Sequence, residues 1–286
     1  MPKKEIKNRK QPIRWQKTAL TVGLYILIGI FLIWTLFPIY WVLLTSFKTT
    51  QQVNTMPPLF TFKPTMENYL KLFLGDAMQA LKSSLIVSSS TVFLGLLIGF
   101  PAAYTLARVK FRAREHVNFF VLSMRMSPAF AFLVPYYLTF RFLHLLDTYA
   151  ALIIIDLTFI LPFAIWMLES VIEDLPIELE DAALVDGCTR EGVMWRIVAP
   201  LMAPSIAATA ILSFVFCWNE FFFAYILSGN ATRTMPVMLT SLIGLMGVDW
   251  VQMSAASMVS VIPTIILALL AQRYLVRGLT MGAIKA

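Results

Sequence analysis

The stretch "IELEDAALVDGCTREGVMWRIVAP" occupies residues 177–200, and long apolar runs flank it on both sides. So many charged and small residues do not cross a bilayer, so this is a loop between two spans. Its own chemistry is helical. Pro176 stands at the start, and Glu178, Glu180 and Asp181 follow where a helix dipole favours negative charge. Ala182 and Ala183 combine helix propensity with little bulk, and Gly187 lets the backbone bend or be approached closely. A second short helix from about Glu191 carries Val193, Met194 and Ile197 on one side before Pro200 reopens an apolar run. A short helix with a small-residue face and a charged rim suits the groove of another protein.

The composition supplies the setting. Of 286 residues, 59% are hydrophobic and 14% charged, and the mean hydropathy is +0.76. A soluble domain of this length needs far more charge to cover its surface, so the chain reads as an integral membrane protein. The net charge of +7 is then no sign of a nucleic-acid partner, because Lys and Arg mark the cytoplasmic face of membrane proteins. Cys188, Cys217, His116 and His144 are too few and too scattered for a metal site or a disulfide framework.

Six stretches are apolar enough to span, which predicts an all-α polytopic membrane protein with six transmembrane helices. They run roughly from Leu20 to Thr45, Ser84 to Ala107, Val117 to Phe140, Ala150 to Val171, Leu201 to Leu227 and Ser254 to Val276. The expected organisation is a basic N-terminus (1–19), a six-helix transmembrane domain (20–276) that includes the loop 172–200, and a C-terminal tail (277–286). An even number of spans puts both termini on one side. Lys3, Lys4, Lys7, Arg9, Lys10, Arg14 and Lys17 precede the first span, and Arg108, Lys110, Arg112, Arg114, Arg190, Arg196, Arg273, Arg277 and Lys285 fall on the same side. The other side carries fewer: Lys48, Lys63, Lys71, Lys82, Arg141 and Arg233. This bias predicts cytoplasmic termini and a cytoplasmic loop at 172–200. The first apolar run is too long for a signal peptide and reads as a retained helix. Outside, Phe47–Leu81 is the largest segment, broken by Pro57, Pro58 and Pro64, with "MENYLKLF" as a short amphipathic helix along the membrane surface.

The pattern D-A-A-x-x-x-G followed by I-x-A-P, from Asp181 to Pro200, resembles the EAA loop of binding-protein-dependent ABC importer permeases, E-A-A-x-x-x-G-x9-I-x-L-P. Spacing matches throughout, and the departures are Asp181 for Glu and Ala199 for Leu. Leu145-Leu146-Asp147-Thr148-Tyr149, "LPFAIWML" from Leu161, "WNEFFFA" from Trp218, "TMPV" from Thr234 and the closing "QRYLVRGLTMGAIKA" extend the likeness over nearly the whole chain. Together they resemble the carbohydrate-uptake class, in particular the smaller maltose permease subunit.

The resemblance implies a type I ABC importer permease fold in a bacterial plasma (inner) membrane. It also implies a homologous second permease, two ATP-binding subunits, an external solute-binding protein and a sugar substrate, with membrane lipid around the spans. The loop becomes a coupling helix: Ala182, Ala183 and Gly187 permit close seating on an ATPase subunit, while Glu180, Asp181 and Arg190 form its charged rim. Glu180 and Asp181 are expected to pair with basic groups there. Gly278, Leu279, Thr280 and Gly282 of the tail are a second expected ATPase contact, against the alternative of a frayed chain end. No cofactor is expected in this chain, and ATP and Mg belong to the partners. "GLTMGAIK" does not meet G-x-x-x-x-G-K-[ST], since Ala283 and Ile284 follow Gly282.

Ionisable groups inside spans are costly, so Arg125, Asp156 and Glu220 each need a reason. Arg125 and Asp156 fall early in oppositely directed helices and so at different depths. A direct ion pair requires a broken helix, for which Pro128 and Pro135 are candidates. Arg125, Asp156, Asn219 and Glu220 are the translocation-pathway candidates, and a purely structural polar network is an equal alternative. Gly95 and Gly99 form G-x-x-x-G and are expected to pack against a helix of the same subunit. Two rival functions stay open: a permease of the same architecture for a non-sugar solute, and a self-sufficient secondary transporter.

Overall fold

The computed structural model describes residues 14–244 and 247–281. Helix α1 (Arg14–Ser46) leads to a short α2 (Thr50–Val53) and α3 (Glu67–Leu74), and then to the long α4 (Ala77–Arg108). Two helices follow, α5 (Arg114–Met126) and α6 (Ala129–Phe142), before α7 (Tyr149–Asp174). The quoted loop becomes α8 (Glu178–Val185), α9 (Arg190–Val193), a π-helical turn (Met194–Val198) and α10 (Ala199–Leu201). The chain continues through α11 (Ala203–Trp218), α12 (Phe222–Leu227) and α13 (Met235–Thr240). A two-stranded hairpin, β1 (Ile243–Gly244) with β2 (Gly247–Val248), precedes α14 (Trp250–Met281).

The bundle is organised on α4 and α7, which pack along most of their lengths, with α11 against both and α1 lying on α14. Between helices in lipid there is no water to expel, so close approach of small residues does the work. Gly95 and Gly99 supply it: a Cβ would stand 3.1 Å from Ile160 Cγ2 at the first and 3.2 Å from Ala164 Cβ at the second. The G-x-x-x-G face therefore packs within this subunit, as expected. Apolar clusters fill the bundle, one at the α8 end around Phe100, Leu168, Ile172 and Val198 and another around Leu152, Ile155 and Phe223.

Among the described residues, four helices are long and apolar enough to cross a membrane, within 21–46, 77–108, 149–174 and 250–270. The third and fifth expected spans are not straight rods. The axis turns by 94° between α5 and α6, at Ser127–Pro128, where the ring of Pro128 removes a backbone donor and both residues are extended. Six crossings result if each bent pair counts as one span. The second bend, 76° between Leu201 and Ala203, was not foreseen. The fifth stretch also ends early, at Trp218, and Phe222 opens a new helix.

Three boundaries also move. Helix α4 begins at Ala77, before the expected Ser84, and the 228–253 loop contains α13 and the hairpin. Helix α3 does not simply lie on the membrane surface. Leu72 and Asn68 are buried, and Asn68 Nδ2 donates to the carbonyls of Ser46 (2.7 Å) and Lys48 (2.9 Å), closing the end of α1. Helix α14 continues to Met281, so Gly278, Leu279 and Thr280 lie on its last turns, and Gly282 falls outside the described residues.

Candidate functional site

The α8 end of the bundle carries a projecting knuckle. Helix α8 stops through a Schellman arrangement: the Cys188 N–H donates to Ala183 O and the Gly187 N–H to Leu184 O, both at 3.0 Å, with Gly187 at φ +85°. Gly187 thus has a local task, because that backbone conformation strains residues with a Cβ. Thr189 then caps α9 by accepting from the Gly192 N–H at 3.1 Å.

The knuckle has two faces, and they divide the residues singled out by sequence. Glu180 points inward. Arg108 Nε donates to its Oε1 at 2.7 Å and the Tyr104 hydroxyl to its Oε2 at 2.7 Å, while Arg108 Nη2 donates to Leu175 O at 2.8 Å. Expecting Glu180 to pair with a basic group on another protein is therefore corrected, for its carboxylate is taken up inside this chain. Ala183 is buried too, inside the cluster with Ile172 and Val193, so it offers no seating surface. Asp181, Ala182, Gly187 and Arg190 are exposed. Between them stands Val185, 87% exposed, which the motif reading passed over. An apolar side chain among charged neighbours was the available signal.

In mid-bundle, Asp156 on α7 is buried and shares a wall with Cys217 of α11. Glu220 occupies the break after α11, where its two oxygens accept the Phe223 and Ala224 N–H groups at 2.8 and 2.9 Å. A carboxylate at this position satisfies the first free donors of α12, which explains how the break is stabilised. Asp156, Cys217 and Glu220 border a crevice of about 310 Å³ whose remaining wall includes Phe130, Phe159 and Phe216. Asn219 lies beside it, exposed, with its amide donating to Val215 O at 2.7 Å.

Arg125 does not join this group. Its guanidinium lies over Phe163 and Trp166, 4.9 Å from each ring centre, and among the described residues it forms no ion pair.

At the opposite end, Asp147 ties α7 to the 229–232 turn. Its carboxylate accepts the N–H groups of Gly229 (2.8 Å), Ala231 (3.2 Å) and Thr232 (3.0 Å) and the Thr232 hydroxyl (2.8 Å). Burial pushes its pKa up, but these hydrogen bonds together hold it below the ordinary aspartate value.

Residues 92–281 match the family described as binding-protein-dependent transport system inner membrane component. The sulfoquinovosyl glycerol transport system permease protein SmoH of Agrobacterium fabrum is 36% identical over 264 residues, covering 91% of this chain and 93% of that one. The trehalose/maltose transport system permease protein MalG of Thermococcus litoralis is 36% identical over 258 residues, covering 87% and 91%. Among solved structures, a bacterial ABC transporter involved in the import of the acidic polysaccharide alginate superposes with a TM-score of 0.78 at 22% identity, covering 92% of this chain and 99% of that one.

Proposed function

This chain belongs to the binding-protein-dependent transport system inner membrane component family, and we propose that it forms half of the translocation pathway of an ATP-driven sugar importer. It is a multi-pass inner-membrane permease subunit and works with a binding protein and ATPase subunits. In the proposed assembly it pairs with a homologous second permease, two ATP-binding subunits that hold ATP and Mg, and an external solute-binding protein. Sugar is the cargo class because relatives such as SmoH and MalG are named for sugar-containing solutes. The Lys and Arg bias supports cytoplasmic termini and a cytoplasmic α8 knuckle.

The observation that carries this reading is the two-faced knuckle. Its inner face is fastened to α4 through Glu180, Arg108 and Tyr104, and its outer face presents Val185, Ala182, Asp181, Gly187 and Arg190. An ATPase subunit that grips the outer face moves α8 with its own closure. The ion pair passes that motion to α4, and the α4–α7 packing passes it on to Asp156 and the crevice. There, phenylalanine rings cover the apolar faces of a sugar while Asp156, Asn219 and Glu220 meet its hydroxyls. Arg125 is a separate pathway contact. Gly278, Leu279, Thr280 and Gly282 form the second ATPase contact.

The test is reconstitution in vesicles with and without the ATPase subunits, using the Val185→Asp variant beside the wild type. Sugar uptake is expected only with ATPases and ATP present. Val185→Asp should insert normally, lose ATPase association on purification and lose uptake. Uptake by the chain alone overturns the reading in favour of a secondary transporter, and full activity of Val185→Asp overturns the docking face.

A further inference from the structure

Lys48 is unusually placed for a lysine. It is 2% exposed, and its ammonium lies 4.6 Å from the centre of the Trp41 ring and 5.2 Å from that of Phe62. Among the described residues it forms no ion pair. Aromatic faces attract the charge but do not replace the oxygen acceptors that three N–H donors require. Burial accordingly lowers its pKa from the ordinary lysine value. The side chain borders a pocket of about 360 Å³ whose other walls include Trp41, Trp250, Gln52, Asn54 and Thr55. No Asp or Glu lines this pocket. The Gln52 amide is fixed by accepting from the Thr49 N–H at 2.9 Å, so the wall is held in shape before any ligand arrives.

We propose that this pocket binds the anionic headgroup of an acidic phospholipid, with its phosphate on Lys48. Depth selects a lipid over a soluble anion. Trp41 is near the end of one spanning helix and Trp250 opens another that packs on it, so the two indoles mark the same membrane–water boundary. Tryptophans sit at headgroup level. Directly along α1 from the pocket, Phe37, Trp34 and Ile33 are 50%, 80% and 71% exposed and provide a surface for acyl chains. A phosphate there supplies the missing acceptors and offsets the cost of the buried charge. The inference rests on Lys48 and the tryptophan belt and is independent of the transported solute.

Native mass spectrometry of the assembled importer tests it, with phosphatidylglycerol, phosphatidylcholine of the same chains, or sn-glycerol 3-phosphate added. The wild type should retain one more phosphatidylglycerol than phosphatidylcholine per copy of this chain and no glycerol phosphate. Lys48→Met should weaken that retention about tenfold, the scale of one lost charge-assisted contact, and Lys48→Arg should keep it. Equal retention of the two lipids by the wild type overturns the proposal without any variant. So does undiminished retention by Lys48→Met, or equal binding of glycerol phosphate, which would make the site one for a free anion. A high-resolution map of the assembly with a side chain of the receptor or second permease in the pocket also overturns it.

Discussion

Removing the Arg108 guanidinium would leave the Glu180 carboxylate, whose side chain is 8% exposed, with only the Tyr104 hydroxyl. An uncompensated buried charge costs about 3 kcal/mol or more, whereas an apolar pair of similar volume can be neutral. Arg108→Met should therefore lower the unfolding temperature of the purified subunit, and Arg108→Met with Glu180→Met should restore much of the loss. Uptake should stay low in both, because the tie between α8 and α4 is gone. Normal uptake by the stable double variant would show that the tie does not transmit motion. Gly187 permits a finer comparison. A Cβ there meets nothing within 4 Å, so Gly187→Ala costs only backbone strain, about 1–2 kcal/mol at a positive φ. Gly187→Asn should recover part of it, since Asn tolerates this conformation. If both variants lose ATPase binding equally while remaining stable, close seating on the partner, not the helix stop, is what Gly187 provides.

Among whole elements, the α4–α7 seam is the most sensitive. A Cβ at Gly99 would stand 3.2 Å from Ala164 Cβ and one at Gly95 3.1 Å from the Cγ2 methyl of the β-branched Ile160, so neither neighbour swings away freely and the cost grows with the size of the side chain introduced. Gly99→Leu should destabilise by about 1–3 kcal/mol through overpacking, and Gly95→Ala by clearly less, as read from thermal unfolding in detergent. A larger effect at Gly95 would contradict the packing. This seam was legible in sequence because four-residue spacing of glycines has one physical reading in a span. The break at Pro128 was legible for a similar reason, proline chemistry being local. The bend at Met202 lies between Pro200 and Pro204, and Asn219 and Glu220 follow the stop at Trp218, yet the surrounding run is apolar enough that it reads as one continuous span across both. Glu220 explains the restart only when its oxygens are seen capping α12. Glu180 was misread because its partner, Arg108, is 72 residues away and belongs to another span.

Across the molecule, Asp147 joins segments more than eighty residues apart in sequence. Its pKa is depressed in the folded state, so the stability it contributes is fully present above the unfolded value of about 3.9. That stability is lost as pH falls through the lower folded value. Asp147→Asn should flatten this acid-side decline in the unfolding temperature while keeping the backbone, which is at φ 57°, because Asn tolerates a positive φ. A variant whose acid profile matches the wild type would show that the carboxylate is not what holds the 229–232 turn.

The ion pair at the foot of α4 has a mechanical corollary. Helix α4 has 32 residues, hence a length of about 48 Å at 1.5 Å per residue. Pivoting about its midpoint, a rod of that reach turns each degree of tilt into about 0.4 Å of sideways travel at each tip, in opposite directions. A push delivered at Glu180 would thus reach the opposite mouth at about its full size but with its direction reversed.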